Sequence, residues 1–105
     1  MSNTFFGVSV DCADAAALAK FWGDVLGRKV ADQPTQENAV VLVDDEGVHG
    51  PRLAFHQVPE PKTVKNRLHL DLITTEFEAE TERLTGLGAT RIGDIEGNEF
   101  DLIAG

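Results

Sequence analysis

The chain is short of the features that mark secreted, membrane-spanning and nucleic-acid-binding proteins. It has one cysteine, Cys12, which excludes an internal disulfide and is typical of a reducing compartment. No apolar run approaches the roughly 18 residues of a membrane span, and no signal-peptide pattern opens the chain. Only 9 Lys and Arg residues oppose 18 Asp and Glu residues, and the net charge of −9 argues against nucleic acid or membranes as partners. We therefore expect a cytoplasmic protein with a small-molecule ligand or a protein partner.

One pattern occurs twice in the chain, and the second copy is shorter. A strand-like segment precedes an amphipathic segment that ends at Leu26-Gly27, and the same order precedes Leu87-Gly88, a distance of 61 residues (87 − 26). After Gly27 there are 31 residues to Val58 (58 − 27), whereas 17 follow Gly88 (105 − 88). The repeat predicts two modules that build one concave site, the second with about one strand fewer.

The first half is predicted to be β-α-β-β-β. Alternating side chains indicate a strand over 5–10. Asp14 is the predicted N-cap of a helix that Gly27 terminates. Its apolar side chains fall on one helical stripe, and we expect the aromatic pair to be core residues: Leu18, Phe21, Trp22, Val25 and Leu26. Strands follow at 28–31, 39–43 and 52–58, separated by a loop at 32–38 and a turn at 44–47.

The second half is predicted to be β-α-β-β. Alternation indicates a strand over 67–72, and Thr75 with Glu78 fits a capping box that begins a helix ending at Gly88. A short strand at 90–93, a turn at 94–98 and a final strand at 99–103 complete the pattern. We expect a single α+β domain over residues 1–105. Module one spans 4–58, the joint 59–66 and module two 67–104.

Four stretches together resemble one known family. They are the Phe21–Gly27 helix end, the Leu53–Pro59 strand, the Arg67–Leu72 strand, and the turn and strand from Asp94 to Leu102. Their order and spacing are similar to those of the glyoxalase/bleomycin-resistance group, the vicinal oxygen chelate superfamily, and most of all to its small glyoxalase-like branch. The resemblance implies paired β-α-β-β-β modules whose sheets curl around a shared cavity. Many members hold a divalent metal there, and others bind a drug without one.

The resemblance implies one metal ligand from the first strand and one from the last strand of each module. These positions fall at Gly7, at His69 and at Asp101, and the fourth is ambiguous. His56 faces the cavity if Leu53 and Phe55 face the helix; otherwise Phe55 and Gln57 do. A His56, His69 and Asp101 set would suit Fe(II), Mn(II), Ni(II) or Zn(II). Because one position is empty and another ambiguous, we favour a pocket without metal.

Other polar side chains are interpreted as pocket residues. Asp71 is placed to orient His69 or to accept from Arg67, and the candidates for a catalytic group are His69, Asp71 and Asp101. The predicted ligand-binding residues are Phe5, Ser9, His56, Gln57, Arg67 and His69, with the register of the 52–58 strand deciding between His56 and Gln57.

The leading function is small-molecule binding by a glyoxalase-like domain, with no reaction assigned. One alternative is a metal-dependent lyase, isomerase or dioxygenase, and the other is a metal-free antibiotic-sequestering or interaction module. The strand missing from module two would leave a sheet edge open, so we expect a homodimer to cover it.

Overall fold

The computed structural model describes residues 3–31, 39–43, 51–90 and 93–105. They fall into two compact units, Met1–Pro61 and Lys62–Gly105. Each unit combines a helix with a sheet, which confirms the predicted α+β class. The predicted loop at 32–38, the turn at 44–47 and residues 91–92 of the predicted strand 90–93 lie outside the described residues. None of the helices in the described segments is long and apolar enough to cross a membrane.

Unit one places one helix against a four-stranded mixed sheet. The elements are β1 (Gly7–Cys12), α1 (Ala15–Leu26), β2 (Lys29–Val30), β3 (Ala39–Val43) and β4 (Arg52–Gln57). The strand order is β1-β4-β3-β2, with β1 parallel to β4 and the other neighbours antiparallel. The first strand begins and ends two residues later than predicted, because its ladder runs from Gly7 opposite Arg52 to Cys12 opposite Gln57. Phe5 and Phe6 therefore precede the sheet.

Helix α1 begins and ends where the sequence predicts. The Asp14 carboxylate accepts a hydrogen bond from the Ala17 N–H at 3.1 Å, which satisfies one of the donors left free in the first turn. Gly27 closes the helix in the left-handed conformation, with φ of 69°. A residue without a Cβ adopts this conformation at little cost.

The core of unit one lies between α1 and strands β3 and β4. Phe21 and Trp22 are both buried, as predicted, and their rings meet edge to face with centroids 5.5 Å apart. Leu18 of the helix and Phe55 of β4 have no exposed surface. Burial of each such side chain contributes roughly 1.5–3 kcal/mol, so these four residues account for much of the stability of the unit.

Unit two pairs one helix with a two-stranded parallel sheet over the residues described. Its elements are β5 (Leu70–Thr74), α2 (Phe77–Gly86) and β6 (Phe100–Ala104). The prediction of a strand over 67–72 was wrong at both ends, because the ladder extends from Leu70 opposite Phe100 to Thr74 opposite Ala104. Near the predicted strand at 90–93, Gly93 forms a single bridge to Glu99. The parallel pair repeats the β1–β4 pair of unit one.

The predicted capping box of α2 is not formed. Glu76, not Thr75, is the N-cap, and its side chain makes no capping hydrogen bond. The Thr74 hydroxyl instead accepts from the Glu76 N–H at 3.1 Å. Thr74 still belongs to the β5 ladder, so the chain leaves the sheet one residue too late for Thr75 to cap the helix.

The turn before β6 is organised around one buried carboxylate. Asp94 is 1% exposed, and it accepts hydrogen bonds from the Glu96 N–H at 2.8 Å, the Asn98 N–H at 3.0 Å and the Asn98 side-chain amide at 3.1 Å. Asp and Asn are favoured in turns because their side chains bond the nearby backbone in this way. The turn therefore determines where β6 begins, and with it the position of Asp101.

A second carboxylate ties the start of unit two to β6. Glu99 Oε1 lies 3.2 Å from Lys62 Nζ and accepts from the Asn66 N–H at 3.2 Å. The pKa of Glu99 lies below its ordinary value, and the largest cause is that its own backbone N–H donates a hydrogen bond to the carboxylate. The Asn66 N–H and the Lys62 ammonium act in the same direction, against partial desolvation. The folded state therefore prefers ionised Glu99.

Gly7→Ala should destabilise the chain by about 1–3 kcal/mol, since a Cβ at this position would overlap the Arg52 backbone carbonyl, which cannot rotate away. Gly86→Ala is the matched control: it adds the same methyl to α2 where nothing lies within 4 Å, and should stabilise by about 0.5–1 kcal/mol. Urea unfolding monitored by far-ultraviolet circular dichroism, to which both units contribute, measures both. Equal midpoints for the two variants would contradict the close approach.

Glu99→Gln should remove a pH-dependent part of the stability. Because the folded pKa is lowered, ionised Glu99 stabilises the fold above the ordinary value of 4.5, and this contribution disappears as pH falls through the folded pKa. The native chain should exceed Glu99→Gln in unfolding free energy at about pH 6, and the difference should narrow toward about pH 3. Glu82→Gln, at an exposed helix position, is the control. A difference in unfolding free energy between the native chain and Glu99→Gln that stays constant with pH would contradict the assignment of this effect to Glu99.

Candidate functional site

The parallel pair of unit two has one exposed face that carries most of the candidate residues. Side chains alternate along both strands, so Leu70, Leu72, Phe100 and Leu102 lie on the more buried side. Asp71, Ile73, Asp101 and Ile103 lie on the other side and are exposed. His69 precedes β5 and contacts Asp101. We call His69, Asp71, Ile73, Asp101 and Ile103 the open face.

His69 and Asp101 form the polar contact of the open face. His69 Nδ1 lies 3.5 Å from Asp101 Oδ2, and the two side chains are 31% and 56% exposed. An exposed pair at this distance contributes little to stability, so the side chains remain available to a ligand. The sequence predicts that Asp71 orients His69, but in the structure the carboxylate beside the imidazole belongs to Asp101. Among the described residues no hydrogen bond or ion pair joins Asp71 to Arg67, which lies before the strand.

The structure settles the orientation of His56. Gln57 Oε1 accepts a hydrogen bond from the Ala15 N–H at 3.2 Å, so Gln57 faces α1 together with the buried Leu53 and Phe55. His56 therefore points to the opposite face of the sheet. Gln57 and His56 do not line the same surface, and the Gln57 amide oxygen is used at the start of the helix. His56 therefore remains a candidate ligand-binding residue, whereas Gln57 lies on the helix-facing side of β4.

One polar residue beside His56 was missed by the sequence reasoning. Asp11 is the Cα partner of His56 across the parallel pair, shares its face and is exposed. The alternation through Gly7 and Ser9 continues to Asp11, but the strand was predicted to stop at Val10. Of the other candidates, Ser9 is exposed opposite Ala54, and Phe5 lies ahead of β1 with 72% of its surface exposed.

The two parallel pairs can be aligned residue by residue. Gly7 corresponds to His69, since each lies seven residues before the N-cap of its helix, Asp14 or Glu76 (14 − 7 and 76 − 69). Ser9 then corresponds to Asp71. The partner of Asp71 is Asp101, whereas the partner of Ser9 is Ala54. The position in unit one that matches Asp101 is therefore Ala54.

The residues present do not fit the four-ligand metal set that the resemblance implies. Gly7 has no side chain, and the Arg52 backbone leaves no room for one. Ala54 is fully buried and has no donor atom. His56 stands two residues beyond Ala54 on β4. Within either unit, the described residues bring no three His, Cys, Asp or Glu side chains together as a metal site would need.

Comparison with protein families places the chain in a known class. Residues 7–103 match the family described as the glyoxalase-like domain, and the chain belongs to this family, within the vicinal oxygen chelate superfamily. A comparison with curated proteins finds no significant match.

Solved structures share the fold at low sequence identity. FosX from Mesorhizobium loti, a fosfomycin resistance protein, has a TM-score of 0.75 and 14% identity, covering 100% of this chain and 94% of its own. A FosX mutant from Listeria monocytogenes, complexed with Mn(II) and 1S,2S-dihydroxypropylphosphonic acid, has a TM-score of 0.72, 14% identity and coverages of 100% and 94%. Oxidase ChaP-H2 has a TM-score of 0.60, 21% identity and coverages of 94% and 73%. At such identities the likeness shows the fold alone.

Proposed function

We propose that the chain is a glyoxalase-like domain that binds a small molecule on its open face without using a metal ion. The observation that carries the proposal is the register of the two parallel pairs. His69 and Asp101 are in contact on the pair of unit two, while Gly7 and Ala54 occupy the matching positions of unit one. Half of the implied donor set is therefore replaced by residues with no donor atom.

Two ligands are fewer than the three protein ligands of catalytic zinc sites and the four of structural ones. His56 does not replace Ala54, because two residues along a strand span roughly 6.6 Å. Ligand recognition is then left to hydrogen bonds and apolar contacts. His69 can donate or accept and the carboxylates can accept, as an oriented ligand in a pocket requires. A His–carboxylate pair can also remove a proton from a bound molecule, and we keep His69, Asp71 and Asp101 as the candidates for that role.

The metal content of purified protein separates the proposal from the metal-dependent alternative. According to the proposal, chain prepared without chelator should contain far less than one equivalent of Mn, Fe, Ni or Zn by elemental analysis. A fragment screen by NMR on the labelled chain should find molecules that shift the amides of β5 and β6, with affinities unchanged by EDTA. His69→Ala should weaken these hits, while Glu82→Gln on α2 should not. One equivalent of metal that His69→Ala removes would contradict the proposal and support the lyase, isomerase or dioxygenase.

We also propose that the chain forms a homodimer in the cytoplasm. The sheet of unit two has two strands among the described residues, and such small sheets are marginal unless an edge or face is covered. The one cysteine of the chain, Cys12, is buried and has no second cysteine with which to form a disulfide, which is consistent with a reducing compartment. Sedimentation at high micromolar concentration should give twice the chain mass of 11.4 kDa. A monomer at that concentration would contradict the dimer.

A further inference from the structure

The open face is divided into a charged half and an apolar half. Asp71 and Asp101 are Cα partners, and one step further along the ladder on the same face Ile73 and Ile103 are Cα partners as well. From this juxtaposition we infer that the ligand is an amphipathic organic cation, with an ammonium or guanidinium group over the aspartates and an apolar body over the isoleucines. The inference rests on the proposed function and names the class of its ligand.

The charged half carries more negative charge than the described residues around it neutralise. Adjacent strands lie about 4.8 Å apart, and like charges directly opposite each other destabilise a sheet. His69 supplies at most one positive charge, when protonated, against the two carboxylates of Asp71 and Asp101. Asp71 makes no hydrogen bond or ion pair with another described residue, whereas Glu99, the preceding carboxylate on this side of β6, is paired with Lys62. A cation bound between Asp71 and Asp101 would relieve the repulsion.

The apolar half is unusually exposed for isoleucine. Ile73 is 75% exposed and Ile103 is 46% exposed. The two pairs are separated by two residues along each strand, roughly 7 Å, so one small molecule can reach both. Covering the isoleucines removes apolar surface from water, which favours binding. A small inorganic cation would satisfy the aspartates and leave the isoleucines exposed.

Charge also argues against an anionic ligand. No Lys or Arg belongs to the open face, and Lys62, the basic residue attached to β6, already binds Glu99. The whole chain has a formal charge of −9, which attracts cations and repels anions at a distance. A neutral ligand would cover the isoleucines without offsetting the charge of the aspartates. The combination of charge and exposure therefore favours the cation.

A matched series of probes with one seven-carbon alkyl chain separates these ligand classes. Heptylamine, heptanol and octanoate share this apolar body and differ in charge, and each can be titrated into the ¹⁵N-labelled full chain while the amides of β5 and β6 are followed. Heptylamine should bind about fivefold more tightly than heptanol, the factor that an exposed ion pair at the upper end of its range supplies. Octanoate should bind most weakly. Added salt should reduce the preference for the amine.

Substitutions then test the two halves separately. Asp71→Asn with Asp101→Asn should abolish the preference for heptylamine over heptanol. Glu60→Gln with Glu82→Gln changes net charge equally at exposed positions elsewhere and should leave the preference intact. Ile73→Ser should weaken heptylamine and heptanol alike. Identical ¹⁵N spectra away from the substitutions establish that each variant is folded.

The outcomes distinguish the inference from the function it rests on. Heptanol or octanoate binding to β5 and β6 as tightly as heptylamine would overturn the cationic ligand and leave small-molecule binding in place. An amine preference that survives the double Asp→Asn change also overturns the inference. A failure of all three probes to shift these amides, together with no fragment hit on the open face, would overturn both.

Discussion

The parallel pairing of the first and last strands within each unit is the constraint on which the rest of the structure depends. In β1–β4 and in β5–β6, register decides which side chains share a face and which face the helix. It places Gln57 against α1 and His56 on the other side, and it puts Asp71 opposite Asp101. A shift of one residue in either ladder would exchange these sets. The register of these two ladders therefore decides which side chains lie together on each surface.

The same framework supports different surfaces in the two units. In unit one, the position matching Asp101 holds Ala54, which is fully buried. In unit two, the matching surface is exposed and carries an imidazole, two carboxylates and two isoleucines. The turn around the buried Asp94 and the contacts of the partly buried Glu99 position β6, so polar groups that precede this strand maintain the geometry of the open face. The two units share one framework of helix and parallel strands, and they differ in the side chains that this framework accommodates at matching positions.

Short patterns in the sequence predict the features that depend on interactions between residues close together in the chain. The Asp14 cap, the Gly27 stop and the burial of Phe21 and Trp22 follow from helical spacing and short-range hydrogen bonds, and all are observed. Features decided by distant pairing could not be predicted in this way. Thr75 fits a capping box, yet the ladder with β6 holds Thr74 in the sheet and moves the cap to Glu76. The roles of Ala54, His56 and Asp11 likewise need the β1–β4 register, which no short stretch of sequence encodes.

The close approach of Arg52 to Gly7 has a consequence for how this chain can change. A histidine at position 7 would need the Arg52 backbone to move first, and that backbone belongs to β4, an inner strand of its sheet. Ala54 would have to gain a donor atom inside a packed interior, where an unpaired polar group is costly. Each step alone costs the fold stability, so no single tolerated replacement leads readily to a further metal ligand at either position. The route by which this domain can acquire new specificity is the exposed surface of β5 and β6, where substitutions cost the fold little.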